Sequence, residues 1–243
     1  MPKTLLITAF NHTLYEAYAH RFLDTYLGEL DLCIVSEDVL PEMRGIHTLR
    51  LQAHQHFVNM NSWRPPPSFK QDAVRFCYKP YSIWTAYHEH KDTDYTGILW
   101  LDADTVFHKQ ITEEWVQENL ATEGIMSYMG RPNYHSETGV LYFNTKNTAT
   151  AEYLEAVLEL YNTNEIYTLD ETHDSYIWDY VRVKFAKRKN QQRNNTFRDL
   201  AEHITEPVRG GHIQATLYGE YWDHLKGKRK QQGYSEENKY AQR

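Results

Sequence analysis

Gly97-Ile-Leu-Trp-Leu-Asp102-Ala-Asp104-Thr-Val-Phe107 is the stretch from which the rest of the chain is read. Ile98, Leu99, Trp100 and Leu101 make a short, nearly unbroken apolar run, the pattern of a strand covered on both faces of a parallel sheet. Asp102 and Asp104 follow where that strand should run out. In extended backbone, positions i and i+2 point to the same side. Both carboxylates can therefore face one cation at the carboxyl edge of the sheet, where open α/β sheets place their ligands. Two like charges this close are costly unless a cation neutralises them. The alternative for any Asp-x-Asp is a loop with two solvated carboxylates; the apolar strand before it favours a metal or phosphate site.

Upstream, residues 3–10 read as a first strand centred on Leu5, Leu6 and Ile7, ended by Asn11, His12 and Thr13. Tyr15, Tyr18, Ala19, Phe22, Leu23 and Tyr26 then recur at helical spacing, with Gly28 as a stop. Residues 31–36 give a second strand, so the chain opens as a parallel βαβ unit. Residues 46–51 read as a third strand. Residues 52–68, with His54, His56 and Pro65-Pro66-Pro67, read as a long irregular loop. A helix is expected over 69–90, broken near Pro80, and Arg75 and Lys79 share one of its faces.

Downstream, the pattern predicts helices over 112–120, 148–161 and 174–185, and strands over 124–129 and 138–144. Residues 184–198 read as a solvated basic loop and 233–243 as a polar, flexible tail. Residues 1–232 are expected to form one α/β domain with a mostly parallel central sheet flanked by helices.

Composition narrows the function classes. A chain of 243 residues can bury a substantial core. The 19 Tyr, 9 Phe and 6 Trp supply aromatic surface for a cleft as well as a core. A net charge of -7 argues against a general nucleic-acid binder. Two cysteines, Cys33 and Cys77, sit in apolar surroundings and read as core thiols of a reducing compartment. The N-terminus is too short in apolar length for a signal peptide, and no run approaches the roughly 18 to 20 apolar residues of a membrane helix. The expectation is a soluble, cytoplasmic protein.

Two carboxylates together with phosphate oxygens suit Mg²⁺ or Mn²⁺, and a distant third ligand is needed. Thirteen histidines make a count uninformative, but His224-Leu-Lys-Gly227-Lys-Arg-Lys230 has context. His can bind metal, Gly lets backbone approach a diphosphate, and Lys supplies a point charge for phosphate.

With these residues in view, the chain resembles a GT-A fold glycosyltransferase similar to glycosyltransferase family 8, whose members include glycogenin and bacterial galactosyltransferases. Thr8-Ala9-Phe-Asn11 with Tyr15, the segment opening at Lys79, Leu101-Asp-Ala-Asp-Thr-Val, and His224-x-x-Gly227-x-x-Lys230 carry the resemblance in order along nearly the whole chain. Glu137-Thr-Gly139 to Asn144 and His173-Asp174-Ser175 are weaker matches.

The resemblance implies a Mn²⁺- or Mg²⁺-dependent hexosyltransferase that moves a sugar from a UDP-sugar to a carbohydrate, protein or lipid-linked acceptor with retention. Asp102, Asp104 and His224 would bind the metal, with Ala103 between them at the nucleotide. Thr8, Ala9, Asn11 and Tyr15 would line the nucleotide loop, and Tyr15 would stack on the base. Lys79 and Arg75 would reach the donor phosphate or sugar, Gly227 and Lys230 would close over the diphosphate, and Asp174 would lie by the transferred sugar. Two other classes stay open. Asp102-Ala-Asp104-Thr-Val also fits the nucleophile motif of haloacid-dehalogenase-like phosphatases, with Asp170 and Asp174 as a distal acidic pair. A non-catalytic nucleotide-sugar-binding protein could keep the fold without turnover.

Overall fold

The computed structural model describes residues 1–39, 45–188, 197–203, 213, 216–236 and 238. Its centre is a sheet of seven strands in the order β3-β2-β1-β4-β7-β6-β8. These are β1 (Thr4–Ala9), β2 (Asp31–Ser36), β3 (Ile46–Arg50), β4 (Gly97–Leu101), β6 (Met126–Arg131), β7 (Tyr134–Asn144) and β8 (Phe197–Asp199). β5 (Thr105–Phe107) and β9 (Trp222–His224) form a separate two-stranded ribbon. Only β7 runs against the others, antiparallel to both β4 and β6. β1 pairs in parallel with β2 and β4, placing Ile7 beside Trp100. The carboxyl ends of β1 and β4 therefore reach the same edge.

All five residues of β4 are buried, as its unbroken apolar run requires. The strands divide their side chains between two cores. Leu5, Ile7, Cys33, Val35, Ile98, Trp100, Leu141 and Phe143 pack on one face. Leu6, Leu32, Ile34, Leu99, Leu101, Val140 and Tyr142 pack on the other. Alternate residues of each strand supply opposite layers, so the sheet is the middle of a three-layer α/β structure.

Helices cover both faces. α1 (His12–Leu14) and α2 (His20–Thr25) are joined by a π-helical turn over Tyr15–Ala19. α3 (Gln55–Asn61), α4 (Ala73–Phe76), α5 (Tyr78–His90), α6 (Glu113–Asn119), α7 (Ala149–Asn162) and α8 (Asp174–Arg188) follow. Asn11 caps α1 through Leu14 N, Asp72 caps α4 through Arg75 N, and Thr112 caps α6 through Trp115 N.

Several expectations are corrected. The stretch read as a loop over 52–68 contains α3. Its prolines are confined to 65–67, and Phe57 is buried edge-on against Tyr161 at 5.2 Å. Burial of Phe57 and Asn61 supplies what the weak local pattern did not advertise. The break expected near Pro80 falls at Cys77 instead, and Pro80 occupies the first turn of α5. There its missing N–H would have had little to bond. The basic stretch 184–198 is helical to Arg188 and returns as β8 beside β6; residues 189–196 lie outside the described residues. In the tail expected to be flexible, Ser235 and Asn238 are buried. Ser235 N donates to Asp223 Oδ2 at 2.7 Å, and Asn238 Nδ2 donates to Gly219 O at 2.9 Å. Residues 237 and 239–243 lie outside the described residues. Cys33 and Cys77 are buried free thiols, pushed up by burial, to about 12 for Cys33. No described helix is long and apolar enough to cross a membrane.

Candidate active site

At the carboxyl edge of β4, Asp102, Asp104 and His224 offer ligand atoms that all lie within 4.8 Å of one another. His224 Nε2 stands 3.2 Å from Asp102 Oδ2 and 3.0 Å from Asp104 Oδ1. The ribbon explains how a residue so far along the chain arrives here. Thr105 of β5 lies opposite His224 of β9, and Leu225 N donates to Asp104 O at 2.8 Å.

Asp102 is fixed from its other side. Trp100 Nε1 donates to Asp102 Oδ1 at 2.7 Å, and Lys79 Nζ lies 2.7 Å from the same oxygen. Lys79, reaching in from the first turn of α5, also contacts Asp174 Oδ2 at 2.5 Å and Thr138 O at 3.0 Å. Asp174, the first residue of α8, further accepts from Thr138 Oγ1 at 2.8 Å. One ammonium thus links the β4 carboxylate to the α8 carboxylate. Lys230 Nζ takes the second side of Asp104, 2.9 Å from Oδ2, and lies 4.1 Å from the centre of the Tyr18 ring.

Glu137 lies behind His224 and is fully buried. Lys226 Nζ meets its two oxygens at 2.6 and 2.7 Å, Gly139 N donates to Oε1 at 3.1 Å, and Arg131 Nη1 is 3.5 Å from Oε2. His224 Nδ1 lies 3.6 Å from Glu137 Oε1. Gly139 lets β7 run directly under the imidazole: a Cβ there would lie 2.3 Å from the ring.

The electrostatics follow from this crowding. Burial pulls the His224 imidazole down, but the Asp104 and Asp102 carboxylates outweigh it and hold it well above its ordinary range. Burial pushes Asp102 up, yet Lys79 and His224 hold it far below the usual carboxylate range. Asp104, Asp174 and Glu137 are held down against burial by His224, Lys79 and Lys226 among their neighbours. Lys79 and Lys230 are raised against burial by their carboxylates. Buried ion clusters of this kind are weak contributors to stability, which points to a functional reason for the arrangement.

The donor set fits a divalent cation. Two carboxylates and one imidazole suit Mn²⁺ or Mg²⁺ with phosphate oxygens completing the shell. A metal at Nε2 leaves Nδ1–H facing Glu137, the carboxylate placement that commonly orients a metal-bound His.

The other residues singled out from sequence divide into two groups. Ala103 is buried between the two Asp, and Gly227 has φ +58, a left-handed turn that brings Lys230 round to Asp104. Thr8 is buried at the end of β1 with an Oγ1 that has no hydrogen-bond partner among the described residues; Ala9, half-buried, closes the same strand. Asn11 is held by Glu37, to which its amide donates at 2.6 Å, and Tyr15 stacks on Phe10 at 6.0 Å. Arg75 stands apart. Its guanidinium lies 4.9 Å from the centre of the Phe69 ring, and Asp72 accepts its backbone N–H. Asp170, offered as half of a phosphatase acidic pair, is exposed, whereas Asp174 is drawn into the cluster by Lys79. The sequence reading assigns no site role to Glu37, Trp100, Lys226 or Tyr18, and takes Glu137 and Thr138 only as part of a weaker motif match. The signal available for Glu137 is a carboxylate two residues before Gly139 at the head of the apolar run Val140–Phe143.

No family model matches the chain, and no curated protein matches it. Among solved structures, mouse xyloside xylosyltransferase 1 in its apo form is similar with a TM-score of 0.51 and 12% identity, covering 82% of this chain and 85% of that one. A glycosyltransferase involved in the glycosylation of the major capsid of PBCV-1 is similar with a TM-score of 0.50 and 12% identity, covering 95% of this chain and all (100%) of that one. These likenesses establish the fold as the mixed α/β GT-A fold of glycosyltransferases. Identities this low do not place the chain in glycosyltransferase family 8 or any other single family.

Proposed function

We propose that this chain is a metal-dependent glycosyltransferase that moves a hexose from a UDP-sugar to a carbohydrate, protein or lipid-linked acceptor, with retention at the anomeric carbon. The observation that carries the reading is the convergence of Asp102, Asp104 and His224, flanked by Lys79, Lys230 and Asp174, at the carboxyl edge of a GT-A sheet. Asp102, Asp104 and His224 would hold Mn²⁺ or Mg²⁺. When bound, the cation acts as a Lewis acid that neutralises charge on the diphosphate leaving group.

The chain's own residues supply the rest. Lys230, on a turn set by Gly227, is within reach of any anion that approaches Asp104, and it closes over the diphosphate as a point charge. Lys79 bridges Asp102 and Asp174, so it sits where negative charge develops as the sugar–phosphate bond breaks. Asp174 stands beside it to stabilise the oxocarbenium-like sugar. Asn11 and Tyr15 frame the uracil, and Thr8, Ala9 and Ala103 line the floor beneath the nucleotide. Arg75 would reach the donor phosphate or sugar by turning from the Phe69 ring.

The phosphatase reading loses the acidic pair it needs, because Asp170 is exposed and Asp174 is already engaged by Lys79. The test is UDP release from a panel of UDP-sugars with and without Mn²⁺, using Asp104→Asn as control. Mn²⁺-dependent UDP release, abolished in the variant, is the expected result. Binding without release would assign a carrier, and phosphate release from a monoester would assign a phosphatase.

A further inference from the structure

A second group of metal-type ligands lies one residue before Asp174. His135, Glu171 and His173 offer donor atoms that all lie within 4.8 Å of one another. They come from two distant segments, His135 from the start of β7 and Glu171 and His173 from the turn into α8. His173 Nε2 is 2.6 Å from Glu171 Oε2, and His135 Nε2 is 3.5 Å from the same oxygen. The two imidazole rings are 5.3 Å apart. Side-chain exposures of 39% for His135, 24% for Glu171 and 13% for His173 leave the group open on one side.

Glu171 and His135 each have a charged group behind them. Lys70 Nζ holds the other oxygen of Glu171 at 2.7 Å. His135 Nδ1 faces Asp179 Oδ2 at 3.9 Å. Asp179 is itself fixed by Ser136 N at 2.8 Å, Ser136 Oγ at 2.6 Å and Arg182 Nη2 at 2.7 Å. A carboxylate on the Nδ1 side is one of the partners that commonly orient a His bound to metal through Nε2, and Asp179 would have to close in from 3.9 Å to take that role. His173 Nδ1 accepts the Tyr176 N–H at 3.4 Å, a long contact.

Two imidazoles and one carboxylate select Zn²⁺ or a neighbouring transition ion over Mg²⁺. In a tetrahedral shell with bonds near 2.1 Å, adjacent donor atoms sit about 3.4 Å apart. The His135–Glu171 separation of 3.5 Å already has that value. The His173–Glu171 pair, at 2.6 Å, must open by less than about 1 Å.

We propose that His135, Glu171 and His173 form a second metal site, for Zn²⁺ or a related transition ion, distinct from Asp102, Asp104 and His224. An ion there staples β7 to the start of α8 and so fixes the segment that carries Asp174. Binding through His173 Nε2 moves its proton to Nδ1 and gives up the long Tyr176 contact. The site stands whether or not the chain is a glycosyltransferase.

The test uses the full chain without an affinity tag, in an Asp104→Asn background so that the first site does not compete. Zn²⁺ is titrated against a chromophoric chelator, and Co²⁺ is used to read ligand-field absorption. One equivalent of Zn²⁺ and a visible Co²⁺ band are expected. His135→Ala and Glu171→Gln, each checked for an intact melting transition, should each weaken Zn²⁺ binding at least tenfold. His135→Ala in the otherwise native chain should leave Mn²⁺ affinity unchanged. If one variant fails to fold, the other carries the test. Absence of Zn²⁺ binding in the Asp104→Asn chain, or unchanged Zn²⁺ affinity in a folded His135→Ala or Glu171→Gln chain, would overturn the proposal.

Discussion

Gly139→Ala tests the metal centre from behind, without removing any ligand. A Cβ at Gly139 would lie 2.3 Å from Cε1 and Nδ1 of His224 and 3.1 Å from Glu137 Oε1, whereas ordinary contact begins at 3.4 Å. The ring or the strand must therefore move by about 1 Å. The ring has no room to retreat, because it is buried and its Nε2 already stands 3.0 Å from Asp104. Metal–ligand distances keep within about 0.2 Å of their ordinary values, so a shift of about 1 Å in the ring should lower Mn²⁺ affinity at least tenfold, about 1.4 kcal/mol. Overpacking should destabilise the fold by about 1–3 kcal/mol. For a chain of this size that lowers Tm by roughly 2–4 °C per kcal/mol. Calorimetric titration of Mn²⁺ in the presence of UDP, paired with a thermal melt, reads both. A folded Gly139→Ala chain that binds Mn²⁺ with native affinity would refute the placement of His224 in the shell.

Other perturbations separate the parts of the site. Lys226→Met strips the fully buried Glu137 of its closest cation, leaving Arg131 at 3.5 Å and the His224 imidazole at 3.6 Å, and should destabilise by about 3 kcal/mol; Glu137→Gln added to it should restore most of the lost Tm, and a native Tm in the single variant would contradict the pairing. Mn²⁺ binding should strengthen with pH beyond the ordinary His range. The raised His224 holds a proton the metal must displace, so affinity should change about tenfold per pH unit below that raised value; a plateau already reached by about pH 7 would contradict the coupling. The same raised imidazolium stabilises the metal-free chain below about pH 6.5, and that contribution is lost as pH rises through its folded value. Phe57→Ala should cost about 3 kcal/mol in chemical denaturation, because Phe57 is the buried anchor of α3 against Tyr161; an effect below about 1 kcal/mol would mean α3 is not docked as described.

Much of the fold was legible because its signals are local. The apolar runs of β4, β1 and β2 and the helical spacing of 148–161 act within a few residues. The approach of His224 to Asp102 and Asp104 was legible for a different reason: Asp-x-Asp leaves an unmet need for a third ligand, and His224-x-x-Gly227-x-x-Lys230 was the segment with context to meet it. What stayed hidden is tertiary. α3 has a weak pattern and is held by Phe57 packing on Tyr161 of α7 and on Tyr167. β8 is three residues long and exists by pairing with β6. Glu137 lies in a weakly matching motif, but its role behind His224 emerges only when Lys226, nearly ninety positions on, is brought to it. Arg75 shows the converse, since sharing a face with Lys79 did not bring it to the same partners: Lys79 turns to Asp102 while Arg75 turns to Phe69.

Anomalous diffraction from crystals grown with Mn²⁺ and UDP tests the metal centre most directly. The predicted result is a manganese peak bonded to Asp102, Asp104 and His224 Nε2, with diphosphate oxygens on its open side and Lys230 closed over them. A manganese peak that omits His224, or UDP bound away from the carboxyl edge of β4, would contradict it.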